Sequence, residues 1–351
     1  MKFSEIPYYR LHNQLISQHP FKKVKDVVAW LGAVQAQDYN ASLWAIGLRL
    51  PNSTSADIEK AIKNREIIRL WPMRGTIHFV AKEDARWMHQ LLTPRLNNTY
   101  SERSNRLGIT PEIIKKSKEL FTKALKGDKH LTREALYQIL EDAGISTKNS
   151  IGLHIAYRMA HEGLIVCAPR EGKKHTFALF DEYVPEGRKF KNIEEAITEL
   201  VIRYFTSHGP AQIQDLMWWS GLTSKDVRAG IELAGKKLQK LEIQGKYYYS
   251  APVKEKVSMK PSVHLLPPFD EYVVAYRDRN AVLEEVHKEK INPGANGMLS
   301  AVVVIDGQVV GNWKRALGKK EVSVVTNPFL KFTFEENKSI EQQQEIYKKF
   351  L

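Results

Sequence analysis

Three stretches of the chain repeat one pattern, in which helices with apolar residues three or four positions apart precede a pair of alternating strands. The middle copy is the clearest. Helical spacing covers 131–145 and 150–164, and two β-branched runs at 164–180 surround a basic turn, Arg170 to Lys174, that contains glycine. Two helices followed by a hairpin predict a winged helix.

The other two copies flank this one. In the third, helices at 199–209, 211–222 and 224–238 precede a hairpin around Gly245, and Ser224 is the expected N-cap of the last helix. The first copy fits more loosely. Its second helix is predicted to run through KVKDVVAWLGAVQAQ, and its strand pair surrounds Gly75. The pattern therefore predicts an α+β protein with three tandem winged-helix modules.

Beyond Met259 the pattern changes to β-branched, alternating runs. They cover 262–279, 301–317 and 321–336, with a hairpin signal at Asp306-Gly307. A small antiparallel β-barrel or sheet is expected here, closed by a helix from 339 to 351. The predicted domains are, in chain order, 1–100, 101–190, 191–258 and 259–351.

Composition narrows the class of protein. A chain of 351 residues with 43% hydrophobic residues is that of a globular protein of several domains. The N-terminus has no apolar signal region, and no stretch approaches the roughly 18 apolar residues of a membrane helix, so we expect a cytoplasmic, nucleoid-associated protein. The one cysteine, Cys167, excludes an internal disulfide and a cysteine-rich metal site, and its apolar neighbours predict a buried side chain. The 11 histidines do not fall at metal-ligand spacing. We therefore expect no metal and no cofactor.

The basic charge is concentrated in one segment. The net charge is +13, and 60–133 holds 17 basic and 7 acidic residues. A concentrated basic field is typical of a protein that binds the phosphate backbone of nucleic acid. A solvated surface that keeps the protein soluble accounts for the charge equally well.

The motif QAQD places polar side chains between the apolar segments AWLGAV and ASLWAIGL. Gln35 and Gln37 project roughly 200° apart on a helix but to the same side of an extended segment, so they can act together only where the helix ends. Asp38 is a candidate general base or the cap of the next helix, and we favour the cap. The alternative is a helix C-terminus whose polar groups are satisfied by nearby backbone.

Five segments then suggest a family. They are LGAVQAQD, MRGTIHFVAKEDARWM, GPAQIQDLMWWSGL, LLPPFDEYVVAYRDR and VVGNWKR. In order and spacing they resemble the winged-helix DNA glycosylases of the AlkZ and YcaQ type, which unhook interstrand crosslinks and remove alkylated bases. The resemblance implies three tandem winged helices, a C-terminal β-barrel and a catalytic motif that reads Gln-apolar-Gln or Gln-apolar-Asp. Gln35-Ala36-Gln37 matches the first form, so the resemblance implies the crosslink-unhooking branch or a less studied one.

The chemistry implied by this resemblance suits glutamine. An N7-alkylated purine is cationic and leaves without protonation, so the enzyme has mainly to orient water at C1′, and a carboxamide both donates and accepts hydrogen bonds. Neutral bases would stay intact. We expect a monofunctional glycosylase that acts as a monomer on double-stranded DNA with alkylated bases.

Further candidates are basic residues that would contact DNA. They are Arg74, His78, Arg277, Arg279, Lys314, Arg315, Lys319 and Lys320. For His78 the alternative is a half-buried structural histidine. For Arg277 and Arg279 it is a salt-bridge network with Asp270 and Glu271. For Lys314, Arg315, Lys319 and Lys320 it is a solvated basic turn. Trp218 and Trp219 are expected to fill the core of the third module.

One other function fits the same modules. A non-catalytic winged-helix protein, regulatory or architectural, would read base edges with its recognition helices. It would prefer one undamaged sequence and release no base. An RNA or nucleotide-handling role has no support in the sequence.

Overall fold

The computed structural model describes residues 1–252, 256–294, 297–317 and 322–351, with the side chains of 95–101 and 317 left aside. The protein has a mixed α/β fold with antiparallel sheets. It divides into two compact units. Unit 1 joins Met1–Ile58 to Lys191–Leu351, and unit 2 is Glu59–Phe190.

Unit 1 begins with three helices and a very short strand: α1 Ile6–Asn13, α2 Val24–Leu31, β1 Val34–Gln35 and α3 Tyr39–Gly47. In α2 the apolar residues Val24, Val27, Val28 and Leu31 follow helical spacing, and all four are buried. Gly32 ends the helix with φ of 79°, a left-handed conformation that favours glycine. The predicted helix through Gln37 is therefore wrong, because α2 stops before the QAQ motif.

The boundary between unit 1 and unit 2 along the chain lies within α4. Its elements in chain order are α4 Ser55–Lys63, β2 Ile67–Met73, β3 Thr76–Ala81, α5 Ala85–Leu92, α6 Asn97–Arg106, α7 Pro111–Leu125, β4 Leu131–Thr132, α8 Arg133–Asp142, α9 Ile151–His161, β5 Ile165–Glu171, β6 Lys174–Leu179 and α10 Phe180–Tyr183. Within the unit the strands lie in the order β3-β2-β5-β6-β4, and each neighbouring pair is antiparallel. Phe121, Leu136 and Ile155, one from each of α7, α8 and α9, form a core under the sheet. Cys167 belongs to this core, as predicted.

The remainder of unit 1 holds two further sheets. Its elements are α11 Ile193–Ser207, α12 Ile213–Ser220, α13 Ser224–Ala234, β7 Gln239–Ile243, β8 Lys246–Ser250, β9 Val263–Leu266, α14 Glu271–Val274, α15 Lys288–Ile291, β10 Val302–Ile305, β11 Gln308–Leu317, β12 Val322–Pro328 and α16 Phe334–Phe350. Strands β7 and β8 form one hairpin, and β12-β11-β10-β9 form a four-stranded antiparallel sheet. Among the described residues this second sheet is open, with β9 and β12 at its edges, so the C-terminal region is a sheet and not a closed barrel.

Tight turns join the hairpins where the sequence predicts them. Asp306-Gly307, with φ of 50° and 79°, connects β10 to β11. Arg74-Gly75 and Gln244-Gly245 connect their strands in the same way, with both residues at positive φ. Two successive positive φ values match the right-handed twist of a hairpin, and glycine at the second position adopts a positive φ without steric strain.

Three local predictions are wrong. The run 262–279 is not continuous β structure, since β9 ends at Leu266 and α14 follows. Asp270 breaks the strand pattern by capping α14, where its side chain accepts a hydrogen bond from the Tyr272 N–H. Thr223, not Ser224, is the N-cap of α13. Trp219 is buried in the core, but Trp218 is 46% exposed.

A helix that spans a membrane has to be both long and apolar over most of its length. None of the helices in the described ranges meets both conditions.

Candidate functional site

The QAQD motif lies in the extended connection between α2 and α3. Gln35 occupies β1 and is 7% exposed, and Ala36 is fully buried. Gln37 and Asp38 are exposed. The motif thus lies outside the helix, as joint action of the two glutamines requires. The Gln35 carboxamide is inside the protein, and the Gln37 carboxamide is at its surface.

Glu271 holds the backbone of the motif from behind. Its Oε1 atom accepts the Gln35 backbone N–H at 2.8 Å, and its Oε2 atom accepts Trp219 Nε1–H at 2.9 Å. The Glu271 side chain is 1% exposed. A buried carboxylate is tolerated only where donors replace its lost water, and these two donors do so. The strand that carries Gln35 is therefore tied to a buried acidic group.

His208 lies next to this carboxylate. Its Nε2 atom is 3.7 Å from Glu271 Oε2, too far for a hydrogen bond, and its ring stacks on Tyr204 with 4.8 Å between the centroids. Burial lowers the pKa of His208, although the neighbouring Glu271 carboxylate opposes the shift. The lowered pKa favours the uncharged imidazole at neutral pH, and the two N–H donors stabilise the Glu271 carboxylate.

Gln35 carries an unused acceptor. No residue in the described ranges donates a hydrogen bond to its buried Oε1 atom. Leaving a buried acceptor unpaired costs about 1–3 kcal/mol, and such groups are rare in folded proteins. The carboxamide oxygen of Gln35 is therefore an unused hydrogen-bond acceptor in the protein interior.

A buried ion pair fixes the residue before Glu271. Arg49 contacts Asp270 through two hydrogen bonds, at 2.8 and 2.9 Å, and both side chains are fully buried. Arg49 Nε also donates to the Gln14 carbonyl at 2.7 Å, and Gln14 Nε2 donates to the Tyr276 hydroxyl at 2.8 Å. The bidentate geometry restricts how the α14 N-terminus can move. The network thereby keeps Glu271 in place against the motif.

Asp38 is the N-cap of α3, as favoured from the sequence. Its Oδ1 atom accepts the Ala41 N–H at 3.0 Å, and its backbone is extended, with φ of −89° and ψ of 108°. The side chain lines a cavity beside the motif. Lys314 and Arg315 of β11 line the same cavity. The structure thus brings three of the predicted residues together.

The other predicted residues lie elsewhere. Arg277 is exposed, and Arg279 is half-buried, with its Nε atom donating to the Val273 carbonyl at 2.8 Å. Arg74 is half-buried in the turn between β2 and β3. His78 is fully buried on β3, and its Nδ1 atom lies 3.0 Å from the Thr76 carbonyl oxygen.

Two of the predicted DNA contacts, Lys319 and Lys320, fall outside the described residues. In the part of the chain that the structure describes, no three His, Cys, Asp or Glu side chains are grouped to hold a metal ion.

Sequence reasoning does not reveal Glu271 as a neighbour of the motif or His208 as a neighbour of Glu271. Glu271 lies 236 positions from Gln35. Trp219 was assigned to the core, and its burial agrees with that, but its indole N–H also serves the carboxylate. The one signal in the sequence was the run of charged residues beginning at Asp270, which the β-branched pattern assigned to a strand.

Comparisons with known proteins agree with one another. The model of the family described as "DNA glycosylase AlkZ-like" matches residues 28–350. An "Interstrand DNA cross-link repair glycosylase" from Streptomyces sahachiroi is 24% identical over 324 residues, which are 87% of this chain and 86% of that protein. The solved structure of "Streptomyces sahachiroi DNA glycosylase AlkZ" superposes with a TM-score of 0.81 at 21% identity, and the match covers 100% of this chain and 96% of that one.

Proposed function

The chain belongs to the AlkZ-like family of DNA glycosylases, and we propose that it hydrolyses the N-glycosidic bond of purines made cationic by alkylation at N7, including purines joined in interstrand crosslinks. The crosslink activity is suggested by the name of the relative from Streptomyces sahachiroi. The product is an abasic site, because water and not an amine of the enzyme is the nucleophile.

The observation that carries this proposal is the buried, unpaired Oε1 atom of Gln35. The side chains that cover this oxygen have to move aside when DNA binds, and a water molecule that then donates to it keeps its lone pairs free to attack the sugar carbon of the bound nucleotide. Gln37, two residues later, supplies a second carboxamide, which is exposed at the surface of the motif. Orientation of this kind lowers the barrier by several kcal/mol, on the order of the gain known for well-placed reactants.

The bond changes are simple. The water oxygen bonds to C1′, the C1′–N9 bond breaks, and its electron pair returns to the base, which becomes neutral. The water loses its proton to the solvent, since a carboxamide is not a base at neutral pH. Asp38 remains a candidate proton acceptor at the exposed end of the motif, although its Oδ1 atom already accepts the Ala41 N–H.

Glu271 acts as a positioning residue in this scheme. It holds the Gln35 backbone at 2.8 Å, and its buried carboxylate places negative charge behind the motif. Positive charge develops on the sugar as the base leaves, and a fixed negative charge in a water-poor interior stabilises that charge more than the same group in water would.

The proposed DNA contacts use the predicted basic residues. Arg74, Arg277, Arg279, Lys314 and Arg315, with Lys319 and Lys320, would neutralise phosphates. The full burial of His78 favours the structural alternative for that residue. A glycosylase with these contacts acts on duplex DNA, and we propose that it works as a monomer associated with the nucleoid.

The architecture supports three tandem winged-helix modules within the proposed domains 1–100, 101–190 and 191–258. Helices precede each of the hairpins β2/β3, β5/β6 and β7/β8. Residues 259–351 would add the C-terminal sheet.

The proposal is tested with a duplex that contains one 7-methylguanine. After incubation with the protein, alkali cleaves the strand at abasic sites. We expect strand breaks with the wild type, none above background with the Gln35→Ala, Gln37→Ala variant, and wild-type cleavage with Gln342→Ala, an exposed glutamine on α16. Equal DNA binding without breaks from any of these proteins, on methylated and crosslinked duplexes alike, would favour the non-catalytic DNA-binding protein.

A further inference from the structure

A cavity of about 240 Å³ lies within unit 2, between the helices α8 and α9 and the strands β2, β5 and β6. Three of the side chains that line it, Trp71, Cys167 and Phe177, are at most 7% exposed. Tyr157, which is half-buried, adds another aromatic ring. Pockets that hold drug-sized ligands measure about 300–1,000 Å³, so this one suits a smaller, flat group.

Packing holds the three rings in place. Trp71 meets Tyr157 edge-on, with ring centroids 5.6 Å apart, and lies nearly parallel to Phe177, at 6.4 Å and 16°. Trp71 and Phe177 belong to the core of unit 2, and Tyr157 packs against that core. Aromatic side chains fixed in this way bind the flat face of any nucleobase by stacking.

The charged side chains that line the cavity are mostly cations. Arg133 at the start of α8 and Lys173 and Lys174 at the turn between β5 and β6 are exposed, and Arg69 of β2 is buried. Glu134 is the one acid among the described residues of the lining, and its Oε1 atom lies 3.8 Å from Arg133 Nη2. Four cations against one carboxylate make the cavity attractive to an anion.

The combined effect of cations from several elements is seen at His175, which also lines the cavity. The pKa of His175 is lowered to about 4, first by burial and then by the charges of Arg69, Arg170 and Arg133, while Glu59 opposes the shift. Arg69 Nη1 lies 3.3 Å from His175 Nδ1. Positive charge from β2, β5 and α8 therefore converges on one place in the cavity, where an anion would be stabilised.

Aromatic rings beside a cationic lining suit a nucleotide, in which a sugar joins a flat base to an anionic phosphate. Intact duplex DNA suits the cavity less well, because its bases are paired and stacked on one another. A phosphate ion alone would use the cations and leave the rings without a contact. The occupant that uses both kinds of lining is a nucleotide whose base is unpaired.

We propose that this cavity binds one unpaired nucleotide, with its base against the aromatic rings and its phosphate on the cationic side chains. Both a single-stranded segment of DNA and a free nucleotide have this chemistry. The site would be additional to the duplex contacts proposed above, and it does not depend on the glycosylase function.

The first test is titration calorimetry of the full-length protein with guanosine 5′-monophosphate, guanosine and inorganic phosphate. We expect the nucleotide to bind more tightly than either of the others. The Lys173→Ala, Lys174→Ala variant should raise the Kd of the nucleotide about tenfold, the effect of losing one charge-assisted hydrogen bond, and leave that of guanosine unchanged. The Lys115→Ala, Lys118→Ala variant removes the same charge from exposed positions on α7 and should keep the wild-type values.

A second variant tests the aromatic lining. Tyr157→Leu keeps apolar bulk at a half-buried position and removes one ring. We expect the Kd of guanosine and of the nucleotide to rise about tenfold, within the range known for base–aromatic stacking, and that of phosphate to stay the same. Tyr137→Leu is the matched control, since Tyr137 is a half-buried tyrosine on α8 that does not line the cavity.

The source of the nucleotide is decided with 2-aminopurine, a base whose fluorescence falls when it stacks. Quenching of this base in a short single-stranded overhang of a duplex, but not at a paired position, and its loss in Tyr157→Leu, would assign the cavity to unpaired DNA. Binding of the free nucleotide without a response of the overhang would assign it to free nucleotides.

Three results would overturn the inference. The first is an equal Kd for phosphate and nucleotide, since the rings would then contribute nothing. The second is equal weakening by the two double lysine variants, which would mean that only net charge matters. The third is no binding of the nucleotide together with no response of the overhang. The 7-methylguanine assay decides the glycosylase function separately in every case.

Discussion

Glu271 links the chemistry proposed for Gln35 to the packed interior of unit 1. Its two oxygens accept from two different donors, Gln35 N–H and Trp219 Nε1–H. Each of these two donors thus binds its own oxygen. This division makes the residue sensitive to a substitution that preserves shape and changes one atom.

Glu271→Gln is that substitution. The glutamine has one acceptor oxygen, and its amide group would meet either Gln35 N–H or Trp219 Nε1–H, so one hydrogen bond is lost and the charge behind the motif disappears. We expect the single-turnover rate to fall about 10- to 100-fold, the loss typical of a misplaced reacting group. The dissociation constant for DNA should stay at the wild-type value.

Rate and binding separate a positioning role from a general loss of structure. Glu341→Gln, at an exposed position on α16, is the matched control. A wild-type rate in Glu271→Gln would mean that the contact with Gln35 has no part in the reaction. A parallel loss of DNA affinity and of folded protein would assign Glu271 to structure alone.

For single residues, the sequence predicts the contacts that form between near neighbours in the chain. Asp38 was expected to cap a helix, and the bond from Ala41 N–H lies three residues away. The need for an extended backbone at QAQ followed from side-chain geometry. The contact of Gln35 with Glu271 spans 236 positions, and no short-range pattern reports such a pair.

Among the elements, α13 shows how a helix start is chosen. The sequence offers Thr223 and Ser224 as adjacent hydroxyl residues, and either can cap. Thr223 takes the role, because its Oγ1 atom accepts the Asp226 N–H at 3.2 Å while the Asp226 side chain accepts the Thr223 N–H at 3.2 Å. This reciprocal pair is a capping box.

Thr223→Ala should therefore lower the free energy of unfolding by about 1 kcal/mol, the typical cost of a lost N-cap. Ser224→Ala is the neighbouring control, since Ser224 lies inside the helix, and we expect a change of a few tenths of a kcal/mol at most. Urea unfolding followed by circular dichroism measures both. A larger loss from Ser224→Ala than from Thr223→Ala would contradict the assignment of the cap.

Hairpins were the elements predicted best, and the 262–279 region the worst. Asp306-Gly307 and Gln244-Gly245 encode their turns locally, because few residues adopt successive positive φ values. In 262–279 the β-branched run suggested strands. Asp270 instead caps α14 and pairs with Arg49, and this tertiary contact overrides the propensity of Val273 and Val274.

At the scale of the whole molecule, the sequence does not predict which segments of the chain form unit 1. The chain leaves this unit after Ile58 and returns at Lys191. Repeated patterns suggested modules in linear order, but they carry no information on which of them share a core. Such pairing depends on contacts between distant residues, as in the pair of Gln35 with Glu271.

Two histidines with lowered pKa values make the stability of the molecule depend on pH. Burial lowers the pKa of His161 and of His264 to about 4. In the unfolded chain each takes up a proton near pH 6.5. Between these values the unfolded state binds more protons, so the free energy of unfolding falls as the pH decreases, by up to about 1.4 kcal/mol per pH unit for each group.

The measurement is urea unfolding between about pH 7 and about pH 5, a range in which carboxyl groups change little. His264→Leu removes one of the titrating groups, and its stability should decrease less steeply with acid than that of the wild type. His12→Leu is the comparison, since the pKa of His12 is lowered in the same direction but less than that of His264. Equal slopes in the wild type and His264→Leu would show that the pKa of His264 is the same in the folded and the unfolded protein.

The net charge of +13 governs how the whole molecule meets DNA. Each phosphate that a cation neutralises adds about 0.9 to the slope of log affinity against log salt concentration. Lys314 is exposed on β11 beside the cavity at the motif, so Lys314→Ala should reduce the slope by about 0.9 and weaken binding to every sequence alike. Lys348→Ala is the control. In the wild type the Lys348 amine is already paired with Glu345 at 2.6 Å, so the slope of this variant should stay at the wild-type value. Fluorescence anisotropy of a labelled duplex at several salt concentrations measures both variants. If Lys314→Ala binds more weakly but keeps the wild-type slope, Lys314 stabilises the bound form by a contact other than phosphate neutralisation.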